Sequence, residues 1–356
     1  MILQSIGLRD FRNLDPIKLD FHPRCNVFVG GNGQGKTSLL EALYLLSRGQ
    51  SFRTHMMAPL IRFERPSLMI QATTAEHASI NLEKTHKGVT KVYINDKRCE
   101  RMSALTQLLP CQLFHQDMFQ IIDASSQIRR SLLDWGVFYA FPEYLQVWQG
   151  FKRALLQRNT VLKQKGSPES LQIWNQSFVT LSEKITDYRS RYLKQLNAVF
   201  QAFFLSIADI QCEILYFNGW DKYQKNLDLA ELLIQQEPLD RKLMYTHSGP
   251  HHADLLLLTP HGKGKIEWSR GQQKIILLML KLAQAQLLDR PCLYLLDDLS
   301  AELDQQHLNQ IYQRLQKTEG QFFITALDDT AKHNLFFADS RWFYLNQGQI
   351  DKVIDL

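Results

Sequence analysis

Gly30-Gly31-Asn32-Gly33-Gln34-Gly35-Lys36-Thr37 fits the pattern Gly-x4-Gly-Lys-Thr. Its flanks fit too. Asn26-Val27-Phe28-Val29 before it is a β-favouring run, and between Ser38 and Ser47 the residues Leu39, Leu40, Leu43 and Leu46 recur at helical spacing. Strand, glycine loop and helix, in that order, is the context a phosphate-binding loop requires. Glycines let backbone N–H groups turn inward around phosphates without Cβ clashes, and the helix N-terminus behind them adds partial positive charge. The sequence therefore predicts that Gly30, Gly31, Asn32, Gly33, Gln34, Gly35, Lys36 and Thr37 cradle the phosphates of ATP. Lys36 supplies a mobile cation for the β- and γ-phosphates, and Thr37 a hydroxyl ligand for Mg2+.

A second half-site is legible near the C-terminus. Cys292-Leu293-Tyr294-Leu295-Leu296 reads as a buried strand ending in Asp297-Asp298. A carboxylate just past a core strand is where a P-loop protein organises Mg2+, so Asp297 is assigned to the metal and Asp298 to polarising the attacking water. Alone, the pair reads equally as two surface aspartates at a strand end. Leu299-Ser300-Ala301-Glu302-Leu303-Asp304 then leads into an amphipathic helix with Leu308, Ile311, Tyr312 and Leu315 on one face and Asp304 as its N-cap. Upstream, Trp268-Ser269-Arg270-Gly271-Gln272-Gln273 opens an apolar helix running to Leu288. On its own Ser269 is simply that helix's N-cap.

Composition bounds the rest. The chain has 356 residues, 45% hydrophobic and 22% charged, which is the make-up of a soluble globular protein. A formal net charge of +5 permits a polyanionic partner without requiring one. Cys25, Cys99, Cys111, Cys212 and Cys292 form no Cys-x-x-Cys pair, which argues against a disulfide framework or zinc site and for reduced thiols in a cytosolic protein. The N-terminus has no signal-peptide pattern, and the apolar run Ile275 to Leu288 is too short and too polar to span a bilayer. His247, His251 and His252 have a spacing a metal could use, but no carboxylate or cysteine pattern accompanies them.

Three zones follow from patterning. Residues 1–120 mix strand-like runs with one strong helix. Residues 121–245 are mostly helical, without sustained heptads. From Thr246 strand and helix signals alternate again, as for a parallel sheet with crossovers. The outer zones are expected to form one sheet and one lobe, 1–120 with 246–356, and residues 121–245 a helical insertion. Residues 151–200 hold nine Lys or Arg (Lys152, Arg153, Arg158, Lys163, Lys165, Lys184, Arg189, Arg191, Lys194) against three acids, a local net of +6. Such a run reads either as a solvated helix face or as a surface neutralising DNA phosphates. Trp148, Trp174 and Tyr188 nearby read as core before stacking platforms.

In chain order the motifs are P-loop, Ser-x-Gly-Gln, helix, apolar strand with Asp-Asp, then Leu-Asp, and this order resembles the ATP-binding cassette (ABC) family. The resemblance implies that Ser269, Gly271 and Gln272 of one subunit cover the γ-phosphate held by another. Lys36, Asp298 and Ser269 (in trans) would then carry phosphoryl transfer to water, and activity would need a homodimer. Leu8-Arg9-Asp10-Phe11-Arg12-Asn13-Leu14, Arg129-Arg130-Ser131-Leu132-Leu133-Asp134-Trp135-Gly136 and Thr246-His247-Ser248-Gly249-Pro250-His251-His252-Ala253-Asp254-Leu255 resemble the RecF family of bacterial recombination mediators. That likeness covers nearly the whole chain. It implies an α/β fold, an ABC-type P-loop ATPase head with a mostly helical inserted lobe, related to SMC and Rad50 heads. It further implies an ATP-dependent DNA-binding protein of the cytoplasm, acting at junctions of single- and double-stranded DNA. Its partners would be RecO and RecR, and indirectly RecA, which it helps load onto gapped DNA. Replication restart and the SOS response belong to the same implication, with ATP hydrolysis as a slow switch.

Some features depart from the pattern. Gln321-Phe322-Phe323-Ile324-Thr325 is followed by Ala326 and Leu327, with no switch histidine, and Phe114-His115-Gln116-Asp117 stands at the glutamine loop without showing which side chain serves. His252 also replaces an arginine usual in the family. The rival readings are an SMC- or Rad50-like structural ATPase, whose coiled-coil arm the middle zone is too short to supply, and a kinase or transporter ATPase. A kinase would not need Ser269-Arg270-Gly271-Gln272, and a transporter places its Asp soon after the P-loop.

Overall fold

In the computed structural model the described residues are 1–116, 124–204, 211–221, 227–259, 268–299, 305–328, 337 and 339–356. Asp117 and the stretch from Ser300 to the expected cap Asp304 lie outside them. The chain opens with β1 (Leu3–Arg9), β2 (Ile17–Asp20) and β3 (Cys25–Val29), and the glycine loop then starts α1 (Lys36–Arg48). β4 (Ser67–Thr74), β5 (Ser79–Thr85), β6 (Thr90–Ile94), β7 (Lys97–Arg98), α2 (Met102–Leu108) and β8 (Cys111–Phe114) follow. A largely helical stretch comes next: α3 (Ser126–Ala140), α4 (Tyr144–Lys163), α5 (Pro168–Phe204), β9 (Glu213–Phe217), α6 (Leu229–Leu243), β10 (Asp254–Leu258) and α7 (Arg270–Gln286). The chain closes with β11 (Leu293–Leu296), α8 (Gln305–Gln316), β12 (Gln321–Ala326), β13 (Arg341–Asn346) and β14 (Gln349–Asp355).

Contacts divide the chain into two compact units, Met1–Met118 with Leu288–Leu356, and Phe119–Leu287. Among the described residues the first unit holds two six-stranded sheets, where the sequence pattern points to one. One sheet is an antiparallel meander, ordered β2-β1-β4-β5-β6-β7. Its strands alternate buried and exposed positions, as in Leu68, Ile70 and Ala72 of β4, the pattern of a sheet with one wet face. The other is ordered β14-β13-β3-β12-β11-β8 and is parallel except for its β13–β14 edge. β3, β8, β11 and β12 are buried at every position, as strands covered on both faces must be. Leu39, Leu40, Leu43 and Leu46 of α1 are all buried, and covering each stabilises the unit by about 1.5–3 kcal/mol. Phe21, Phe28, Phe323 and Phe343 interlock in the same core.

The second unit returns to the first at Leu288, not at residue 246. Residues 246–287 were expected to rejoin the head because strand signals resume there. Instead β10 pairs antiparallel with β9, Asp254 to Phe217 through Leu258 to Glu213, and takes no part in the parallel sheet. Gln284 Nε2 on α7 donates to Leu132 O on α3 at 2.8 Å. α4 and α5 pack against each other across a four-residue connection, a short helical hairpin.

The same unit corrects the reading of the basic stretch. Arg158 is fully buried: Nη1 donates to Asp240 Oδ2 at 2.7 Å and Thr246 Oγ1 at 2.6 Å, and Nε to Asn175 Oδ1 at 2.7 Å. Arg189 is buried too, bidentate on Asp134 at 2.8 and 2.9 Å. Both cations are internal struts, whereas Lys152, Arg153, Lys163, Lys165, Lys184, Arg191 and Lys194 are exposed. Trp148 is capped by the Lys152 ammonium 3.9 Å from its ring centre, and Tyr188 sits against Phe141 and Tyr144. Cys25, Cys111, Cys212 and Cys292 are buried thiols and Cys99 is partly buried, none in a disulfide. Among the described residues no helix is long and apolar enough to cross a membrane.

Candidate functional site

Three neighbouring parallel strands of the first unit end side by side. β12 lies between β3, which runs into the glycine loop, and β11, which runs into Asp297-Asp298. Ligand clefts of open α/β sheets form at such carboxyl ends. Here a cavity of about 880 Å3 is lined by the loop residues Asn32, Gly33, Gly35, Lys36, Thr37 and Ser38, by His115, Gln116, Asp297, Asp298 and Thr325, and by Arg12, Asn13, Arg53, Pro59 and Ile61.

The loop is bent as a phosphate cradle must be. Gly35 caps α1 with φ 109°, and a Cβ there would stand 2.6 Å from Leu14 Cδ2. Only glycine satisfies both demands. Lys36 Nζ donates to the carbonyls of Gly30 at 2.6 Å and Gly31 at 2.8 Å, folding the cation over its own loop. Burial lowers the Lys36 pKa, and the charges of Asp298 and Asp297 pull it back up. The Gln34 side chain turns away to accept from the Gln347 N–H, anchoring the loop to the β13–β14 hairpin.

Thr37 and Asp297, assigned to one metal from motifs 260 positions apart, are brought together. Thr37 Oγ1 lies 3.1 and 3.2 Å from the two carboxylate oxygens. Asp297 is also reached by Thr325 Oγ1 at 2.9 Å and by His115 Nε2 at 3.6 Å, and its own N–H donates to Phe114 O. A hydroxyl and a carboxylate are the hard oxygen donors that suit Mg2+, which normally completes its shell with water and substrate phosphates. No group of three His, Cys, Asp or Glu able to hold a metal occurs among the described residues. Asp298 sits beside it with φ 48°.

Several residues in or behind the cavity were given no role from sequence. Glu41 on α1 is fully buried; it binds Arg12 through two hydrogen bonds, one of 2.7 Å from Nη2, and is reached by Ser51 and by Arg53 at 3.7 Å. Two guanidiniums on one carboxylate leave a net positive charge on the rim. Asn13 links Ser38 Oγ at 3.0 Å to Gly33 O at 3.2 Å. The sequence signal was present, since Glu41 follows Thr37 by one helical turn, but nothing local tied it to Arg12.

The predicted covering residues lie in the second unit. Ser269 is an exposed N-cap of α7 in a capping box: its Oγ accepts from the Gln272 N–H at 3.2 Å, and Gln272 Oε1 accepts from the Ser269 N–H at 2.9 Å. Gly271 follows in the first turn. The cap that sequence allowed as a purely structural role is thus formed.

Comparison with known proteins decides the family. The RecF/RecN/SMC N-terminal domain matches residues 2–339. The DNA replication and repair protein RecF of Shewanella baltica (strain OS223) is 35% identical over 364 residues, 99% of this chain and 100% of that relative. The chain belongs to the RecF family. A solved structure of the recombination mediator protein RecF–ATP in the RecFOR pathway superposes with a TM-score of 0.86 at 27% identity, covering 100% of this chain and 97% of that one. An Smc head bound to the C-winged helix domain of ScpA shares the fold, with a TM-score of 0.63 at 16% identity.

The RecF-family stretches now have places. Arg12 and Asn13 line the cavity. In the second unit Arg129 is bidentate on Asp254, both bonds 2.7 Å, and Arg130 Nη1 donates to Ala253 O at 2.6 Å. His251 Nε2 lies 2.9 Å from Thr246 O and its ring centre 4.2 Å from that of His252, while His247 Nδ1 pairs with Asp240.

Proposed function

We propose that the protein is an ATP-switched DNA-binding ATPase of replication and recombinational repair, dimerising with nucleotide sandwiched between two copies. The observation that carries this reading is the meeting of Thr37 and Asp297 beside the glycine loop, in a chain of the RecF family. ATP lies with its phosphates on the Gly30–Thr37 backbone, and Lys36 swings from the Gly30 and Gly31 carbonyls onto them. Thr37 and Asp297 would hold Mg2+, which would supply charge neutralisation at the phosphates. Asp298 orients the attacking water. Ser269 of the second copy, with Gly271 and Gln272, closes over the γ-phosphate; capping α7 uses an acceptor lone pair of Ser269, not its O–H donor. Positioning and charge do the work, so neither half-site suffices.

Exposed cations on α5 supply the DNA contact. Lys184, Arg191 and Lys194, spaced i, i+7 and i+10, share a helix face. The solved RecF–ATP relative belongs to the RecFOR pathway, which supports RecO and RecR as partners. Action at gapped DNA, with RecA loading, replication restart and the SOS response downstream, completes the proposal. The test compares wild type, Lys36→Ala and Ser269→Ala by light scattering with and without ATP, by ATP turnover and by DNA binding. Both variants are expected to lose ATP-driven dimerisation, while Ser269→Ala still binds nucleotide as a monomer. An unchanged Ser269→Ala protein rules out the shared site.

A further inference from the structure

The end of β12 carries contacts that neither nucleotide motif explains. Thr325 is 3% exposed, and its single hydroxyl is used twice. It donates to Asp297 Oδ1 at 2.9 Å and accepts from the Asp298 backbone N–H at 2.9 Å. The strand register puts Ile324 opposite Leu296, so Thr325 is the β12 residue level with Asp297, and on its other side it pairs with Phe28 of the strand that feeds the glycine loop. Asp298 has φ 48°, in the left-handed region that costs a residue with a Cβ, and the hydrogen bond from its N–H to Thr325 is one that holds it there. Just after it, where transporter-type ATPases carry a switch histidine, Ala326 and Leu327 offer no polar side chain.

We propose that Thr325 is a positioning residue for nucleotide hydrolysis, one hydroxyl fixing the rotation of the Asp297 carboxylate and the backbone of Asp298 together. The inference rests on the ATPase reading above. Threonine suits the task because a hydroxyl offers a donor and an acceptor at once, and both are engaged. Valine has nearly the same shape and loses both bonds, whereas serine keeps both.

The experiment compares wild type, Thr325→Val and Thr325→Ser in ATP turnover across a Mg2+ titration, and in ATP affinity measured with EDTA and with Mg2+. Thr325→Val is expected to lower kcat by about tenfold or more, the effect of losing a bond to a charged group. It should also raise the Mg2+ concentration for half-maximal turnover and shrink the gain in ATP affinity that Mg2+ brings. Metal-free ATP affinity should stay within about twofold, and serine should restore all these properties. If Thr325→Val does not fold, Thr325→Ala loses the same two bonds and takes its place. A valine variant matching wild type in both turnover and Mg2+ response overturns the proposal, as does a serine variant as impaired as valine, since packing would then be the cause. Should wild type prove not to hydrolyse ATP, the parent reading fails, but the Mg2+-dependent affinity gain still decides the role of Thr325.

Discussion

Arg158→Ala separates structural cations from those proposed to meet DNA. In the native protein Arg158 makes three hydrogen bonds, to Asn175, Asp240 and Thr246, with both Arg158 and Asp240 fully buried. Truncation leaves the Asp240 carboxylate inside the unit beside the His247 ring, without its guanidinium partner. Removing one side of a buried pair typically costs about 3–5 kcal/mol, because the stranded charge is without water as well as without its partner. Lys184 and Lys194 are exposed, and their truncation should change stability by about 0.5 kcal/mol or less. Urea unfolding followed by tryptophan fluorescence reads the first quantity, and DNA affinity across a salt series reads the second. For every DNA phosphate that the protein no longer neutralises, the slope of log affinity against log salt should fall by about 0.9. Arg158→Ala is expected to be strongly destabilised, with an unchanged slope under conditions where it remains folded. The double variant Lys184→Ala, Lys194→Ala should be stable, with a slope lower by about 2. An Arg158→Ala protein that unfolds like wild type yet loses the salt-dependent part of DNA binding contradicts a buried structural role for Arg158.

Two other expectations follow from the same geometry. Gly35→Ala combines φ 109° with a Cβ 2.6 Å from Leu14 Cδ2, so it should abolish ATP binding, while Gly31→Ala, whose nearest neighbour is Gln34 Cγ at 3.9 Å, should leave the melting temperature unchanged. Fluorescent-nucleotide titration and thermal unfolding check both. Burial of the His251 ring pushes its pKa down to about 4. Its unfolded value is about 6.5, so between these limits the unfolded chain binds the extra proton. The contribution of His251 is therefore fully present above about pH 6.5 and lost as pH falls towards 4, at most about 3 kcal/mol. His251→Gln should flatten that part of the stability–pH curve, and a wild-type curve level from pH 6.5 to 4 contradicts it.

What sequence made legible was local. The glycine loop, α1 and the apolar strand before Asp297 announce themselves because the residues needed for each are contiguous or a helical turn apart. Even the pairing of Thr37 with Asp297 could be anticipated, since both belong to recognisable motifs. Thr325 could not, being one hydroxyl in an otherwise apolar strand with its partner 28 residues away. Arg158 read as part of a basic run because Asp240 lies 82 positions on, and charge counting cannot tell a neutralised strut from a solvated lysine. The antiparallel pairing of β9 with β10 was hidden for a related reason. Strand signals after residue 246 reveal that a strand exists, but not which sheet supplies its neighbour.

The central claim, a nucleotide site completed by a second copy, is tested most directly by mixing two inactive variants. Lys36→Ala lacks a working glycine loop but keeps Ser269; Ser269→Ala has the reverse defect. In a mixed dimer one of the two sites joins an intact loop to an intact serine, so ATP turnover should reappear on mixing and scale with the fraction of mixed dimers. If each chain encloses its own nucleotide, the mixture will stay as inactive as its components.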